Sequence, residues 1–347
     1  MRRFFTAIAA VLVVQFNGSA AEPAKADDGF VPLFNGTDLA GWHNVNCAPE
    51  TWSVKNNEII TTGKPTGFLR TAKQYENFEL EFEWMHIEKT KMANSGLFVW
   101  GDALPAVGTG YTRSIEIQVL LNFKPADGWA TSEGDIFSIW GAKCKPDRPH
   151  PKGIERCLPS ENRTKQAGEW NHYKVIGNNG VLKLHVNGKE VSGVSECTPR
   201  KGYLALESEG VECHFRNIKL KELPSTNPKP EEICTVDTGY KHLLEGLTLK
   251  GWKCADGDWK AGDGAIRSAG KGSITSEAEF SASELVIDYK FPAKSPGKLI
   301  VTANGKAFEF PAKAAWAREI VKLDPNMKGT ISIAGAEGLD VRNVFVR

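Results

Sequence analysis

Between Arg113 and Asn122 the chain reads RSIEIQVLLN, so that Ile115, Ile117 and Val119 alternate with Ser114, Glu116 and Gln118. A period of two is the side-chain spacing of a β-strand, with one apolar and one polar face. The pattern predicts a strand with one face in a hydrophobic core and a carboxylate beside a carboxamide on the other. That polar face is either the solvated side of an antiparallel sheet or the floor of a site. Phe78–Trp84 alternates as strictly, with Phe78, Leu80, Phe82 and Trp84 inward. Asn94–Trp100 is apolar on both faces, which predicts a covered or ligand-contacting strand. Helical periodicity is nearly absent. Many short strands at regular spacing predict an all-β sandwich.

The framework occurs twice. Leu33–Trp42 (LFNGTDLAGW) returns as Leu243–Trp252 (LLEGLTLKGW), and Trp52–Ile59 returns as Trp259–Ile266. Near the end, Val341-Arg342-Asn343-Val344 echoes Phe215-Arg216-Asn217-Ile218. The second copy has no counterpart of RSIEIQ, of Asn94–Trp100 or of the long polar loop 141–168. It retains the scaffold and lacks the decorated strands, which places function in the first copy. The sequence divides into a signal segment 1–21, a sandwich 28–223, a Pro-rich linker 224–233 and a smaller, truncated β-sandwich repeat 234–347.

Residues 1–21 have a basic start at Arg2-Arg3, an apolar stretch and small residues at Gly18–Ala21, as an export signal does. The apolar stretch is too short to span a membrane, so the mature chain is expected to be exported, periplasmic or secreted, with no transmembrane segment. A net charge of +1 over 347 residues, with no basic stripe, argues against nucleic acid as a partner. An oxidising address favours disulfides among the seven cysteines. Cys144–Cys157, bracketing the long loop, is the first expected pair and Cys234–Cys254 the second. No CxxC spacing supports a zinc site.

Seven segments carry a family resemblance. In order they are FNGTDLAGW (34–42), NSGLFVW (94–100), IEIQVL (115–120), Gly134–Phe137, GEWNHYKV (168–175), LHVNGKEV (184–191) and HFRNIKLKEL (214–223). Together they resemble the 3-keto-disaccharide hydrolase domain family. The resemblance implies a concanavalin A-like jelly roll over roughly Gly29–Leu223, and action on a carbohydrate already oxidised to a ketone at C3, a 3-keto-glycoside. A C3 ketone acidifies the C2 proton. One general base can then start an elimination that expels the C1 substituent, and water adds back to give net hydrolysis. An oxyanion stabiliser completes the minimum set, unlike the paired carboxylic acids of ordinary glycosidases.

On that resemblance Glu116 is the candidate base and Gln118 its neighbour on substrate hydroxyls; Glu209, in a segment that departs from the family pattern, is a third candidate catalytic group. Asn94 is either a turn former or a ligand. Trp100, which replaces an Arg common in relatives, and Trp140 either stack on sugar C–H faces or pack in the core. Arg113 and Asp135 complete the expected contacts on these strands. Just before Phe215-Arg216-Asn217, where many relatives carry a Gln and a His, this chain has Leu206–Gly210, with Glu207 and Glu209 on one face and His214 and Arg216 on one face of the next strand. They form either a cross-strand salt bridge or a carboxylate–histidine group that holds a divalent cation or shares the proton transfer. An enzyme, a lectin-like binding protein on the same cleft and an envelope structural module are the three functional readings.

Overall fold

The computed structural model describes residues 28–122 and 132–347. The signal reading of 1–21 lies outside the described residues. The first copy is an antiparallel sandwich of a nine-stranded and a six-stranded sheet, the jelly-roll architecture expected. The six-stranded sheet runs Trp42–Val45, Gly67–Thr71, Tyr203–Ser208, Ala93–Gly101, Ser114–Leu121 and Ile136–Ile139 in spatial order. Ile115, Ile117 and Val119 meet Phe82, Trp84, Tyr173 and Phe215 of the facing sheet in one core. The alternation of Phe78–His86 is realised residue by residue, inward positions buried and outward ones half-buried.

The second copy builds its own pair of sheets, of six and five strands, around a separate core that includes Trp259, Ile287, Tyr289 and Ile333. The repeat extends to single hydrogen bonds. Trp42 Nε1 donates to Leu33 O at 2.8 Å, and Trp252 Nε1 to Leu243 O at 2.9 Å. Asn56 and Asn57 turn the first hairpin with positive φ, as Asp263 and Gly264 turn its copy, the backbone a two-residue hairpin turn requires. Among the described residues no helix is long and apolar enough to cross a membrane.

The Pro-rich linker packs on the first sandwich. Asn77 Nδ2 binds Pro224 O at 2.7 Å, Glu76 takes Thr226 N at 2.6 Å, and Arg200 pairs with Glu232 at 3.0 Å, strapping the segment to the first sandwich. All seven cysteines are free. Cys234 is buried on the first sandwich with Sγ on Trp100 O, whereas Cys254 packs on the second core, so two different bodies hold that expected pair apart. Cys144 lies near Cys157 without a bond.

The polar face of the central strand is also not a solvated surface, because all eight residues of Ser114–Leu121 are buried. The second sandwich covers part of that face. Val286 and Phe345 pack on Val45, Phe68, Phe98 and Ala205.

Candidate active site

Pairing of the strands assembles the site. Leu206 is opposite Leu97 and Leu97 opposite Ile117, all three facing the core. One residue along, the pleat turns Glu207, Gly96 and Gln118 to the other face. Glu116 shares that face two residues away. Gly96 makes the grouping possible. A Cβ there would lie 2.9 Å from Glu207 Oε2 and 3.1 Å from Glu116 Oε1, so a side chain would hold the carboxylates apart. Gly96→Ala should therefore cost about 1–3 kcal/mol of stability, read from the denaturation midpoint at pH 7.

These carboxylates line a cleft of about 220 Å³ with Asn94, Tyr111, Trp140 and Arg156. Asn94 bridges its floor, donating to Glu209 Oε2 and accepting from Gln118 Nε2. Tyr111 OH donates to Glu209 Oε1 at 2.9 Å. Its ring stacks with Trp140 at 6.3 Å and 14°, and Trp140 is 52% exposed at the rim. Trp140 and Gly141 both have positive φ, and this left-handed turn projects the indole outward. Arg156 lies over the Phe137 ring at 3.8 Å, and its Nη1 is fixed by Asp135 at 2.9 Å.

Burial sets the electrostatics. It pushes the Glu116 carboxyl up to about 8, helped by the charge of Glu209 and opposed by Arg156. Glu207 is raised well above the usual carboxylate range by burial and then by Glu209 and Glu116. No N–H or O–H donor among the described residues reaches either Glu207 oxygen, so its surroundings favour the protonated form, which is able to donate to Glu209. Glu209 is also raised by burial, but the Tyr111 hydroxyl and Glu207 favour its charged form. Burial lifts Asp135 to about 6 against the pull of Arg156. The cleft thus holds a base of high proton affinity, a proton donor, a guanidinium and an aromatic rim.

A larger hollow of about 610 Å³ lies on the outer face of the nine-stranded sheet. Its carboxylates are already paired, Glu81 with Lys219 at 3.1 Å and Glu83 with Arg216 at 2.6 Å. It lacks the convergence of unpaired acids seen in the smaller cleft.

The family profile described as a 3-keto-alpha-glucoside-1,2-lyase-like domain matches residues 29–221, more than half of the chain. The chain belongs to the 3-keto-disaccharide hydrolase family. It is 22% identical over 244 residues to a 3-keto-disaccharide hydrolase of Bacteroides thetaiotaomicron, covering 56% of this chain and 79% of that protein. Among solved structures it is similar to a candidate glycosyl hydrolase from Parabacteroides distasonis, at 21% identity and TM-score 0.43 over 56% of this chain and 94% of that one. It is also similar to the carbohydrate binding module CBM66 from Bacillus subtilis, at 13% identity and TM-score 0.39 over 52% and 96%.

In this 3-keto-disaccharide hydrolase family member the expected residues divide. Glu116, Gln118, Asn94, Trp140, Glu207 and Glu209 come together in the cleft, and Asp135 stands behind them holding Arg156. Trp100 does not line it. It is fully buried in the sandwich core beside Phe78, with Nε1 on Glu76 O at 2.9 Å, so Trp100→Ala should cost about 3–5 kcal/mol of stability in a denaturant titration. Arg113 is occupied by Asp102 through two bonds of 2.8 and 3.1 Å, outside the cleft.

His214 and Arg216 lie in the other sheet, because Tyr203–Ser208 and Cys213–Glu222 cross from one layer to the next. There His214 bonds Glu58 and Glu212, each at 2.7 Å, and Arg216 pairs with Glu83. Neither the salt bridge nor the carboxylate–histidine group expected for Glu207, Glu209, His214 and Arg216 forms. Among the described residues no group of three His, Cys, Asp or Glu is arranged to hold a metal ion.

Tyr111 and Arg156 were not singled out from sequence. Both come from loops, where no local period marks a residue as convergent. Their only signal was position: Arg156 in the long polar loop and Tyr111 just before the central strand.

Proposed function

We propose that this chain is a carbohydrate-active enzyme that cleaves 3-keto-glycosides, exported by its first 21 residues. The observation that supports it best is Glu116, a buried carboxylate of raised proton affinity facing a guanidinium inside an aromatic-rimmed cleft. Ionised Glu116 takes the C2 proton. The C2–H electron pair forms a C1–C2 double bond as the C1–O bond breaks, with charge spread over the C3 oxygen and held by Arg156. Protonated Glu207, directly or through Glu209, supplies the proton that leaves with the alcohol. Water then adds across the double bond, its oxygen to C1 and a proton to C2, to give the free 3-keto sugar. Trp140 and Tyr111 offer the sugar an apolar face.

The test is release of the C1 alcohol from a 3-keto-glucoside by the purified mature chain. Because the base must be ionised, kcat/KM should rise with pH through a limb near the Glu116 value of about 8. A lectin-like reading draws on the exposed Trp140 alone. Saturable binding of the same sugar with no product at any pH would favour it.

A further inference from the structure

The second sandwich grips the loop that carries Tyr111. Arg318 Nη2 donates to Pro105 O at 2.9 Å, and Arg342 Nη1 to Gly108 O at 3.0 Å. Asn343 Nδ2 donates to Thr109 O at 3.0 Å and to Ala106 O at 3.3 Å. Asp288 Oδ2 accepts from Gly108 N at 2.8 Å. Within the second sandwich Asp288 is itself held by both nitrogens of an Arg318 fork, at 2.6 and 2.8 Å, and by Asn343 at 2.7 Å. Asp288 and Asn343 are essentially inaccessible to solvent. A buried polar network in which Asp288 and Asn343 are each held by several hydrogen bonds favours one geometry. Gly108 fits only as glycine, because its φ is +72° and a Cβ would sit 2.1 Å from Trp316.

The gripped tip passes its position on. Ala106 N donates to Tyr111 O at 2.8 Å and Tyr111 N to Thr109 Oγ1 at 3.2 Å, so the backbone of Tyr111 is tied to residues the second sandwich holds. Its hydroxyl then meets Glu209. The repeat sharpens the point. Asn217, the first-copy counterpart of Asn343, shares its positive φ but is exposed and binds Glu83. The same framework position has been turned in the second copy toward the catalytic half of the chain.

We infer that the second sandwich is a positioning element of the cleft: Asp288, Arg342 and Asn343 clamp the 105–109 tip and thereby hold the Tyr111 hydroxyl on Glu209. The inference rests on the proposed function for its consequence in turnover. Its geometric core does not depend on that function, and the test separates the two.

The experiment compares Asn343→Gly, which keeps the positive φ, with Tyr111→Phe and the double variant, all in the full chain. Turnover of a 3-keto-glucoside is measured beside the titration of ¹³C-labelled glutamate carboxyls by NMR without substrate. The groups facing Glu209 are Glu207, Glu116, Tyr111 and Asp263, and Arg156 faces Glu116. A hydroxyl donor favours the charged carboxylate, so Tyr111→Phe should raise the Glu209 midpoint and lower kcat by up to roughly 10²-fold through misplacement of Glu209. Asn343→Gly should move both in the same direction, and add nothing in the Tyr111→Phe background.

Should Asn343→Gly fail to fold, Arg342→Gln at the half-buried edge of the clamp takes its place. Independent, multiplying losses, or an unmoved Glu209 midpoint, would overturn the clamp. Shifted midpoints in a chain that turns over no 3-keto-glucoside would uphold the clamp and sink the proposed reaction.

Discussion

Glu116→Gln is expected to abolish turnover of a 3-keto-glycoside while leaving its binding intact. Gln keeps the shape and hydrogen-bonding capacity of the side chain but cannot take the C2 proton, and a general base contributes roughly 10²–10⁴-fold. The loss should fall on kcat, with KM little changed. The same variant has a second signature with a defined sign. The folded Glu116 holds its proton up to about 8 instead of the ordinary 4.5. Below pH 4.5 it is protonated in both folded and unfolded chains, and burial carries no penalty. Between 4.5 and about 8 the unfolded chain releases a proton that the folded chain keeps, so stability declines as pH rises through that window. Gln has no proton to lose. Thermal midpoints of the two proteins should coincide near pH 4, and the variant should be the more stable at pH 8. Equal midpoints across that range would mean that Glu116 ionises like a surface carboxylate and is no poised base.

Arg156→Ala should give the second large loss, roughly 10²–10³-fold in kcat, the usual consequence of removing a group aimed at a developing oxyanion. Asp135 and the Phe137 ring hold the guanidinium in place, so it enters the reaction already oriented. Its removal should also move the pH limb. Arg156 pulls the Glu116 proton affinity down, so the rise in kcat/KM should shift to higher pH in the variant. Asp135→Asn keeps the guanidinium but loosens it, and should give a smaller loss in kcat. A variant with full activity at every pH would assign Arg156 to the wall of the cleft and not to the chemistry.

The strands were legible because their information is local. The alternation of Phe78–Trp84 and Ile115–Val119, the Asn56-Asn57 turn and the doubled LFNGTDLAGW framework need only near neighbours in the chain to be read. The carboxylates of the cleft were legible for a related reason. Glu116 and Gln118 interrupt an apolar strand with polar side chains, Glu207 does so in another, and Glu209 follows just past that strand's end. Trp100 and Trp140 show where this stops. Each is followed by glycine and each has positive φ, yet one is sealed in the core and the other stands at the rim. Nothing within a few residues of either distinguishes them.

By itself the sequence determined the all-β class, the tandem repeat, the family and most of the carboxylates of the cleft, since these depend on period, turn chemistry and residue type. Tertiary structure alone decided which side chains share a space. It sent His214 to the opposite sheet from Glu207, seven residues away, because consecutive strands of a sandwich change layers. It brought Arg156 and Tyr111 from loops to the same carboxylates, and it set the second copy on the loop that holds Tyr111. Burial did the rest: the proton affinities that make Glu116 and Glu207 chemically useful arise from water excluded by residues far away in the chain.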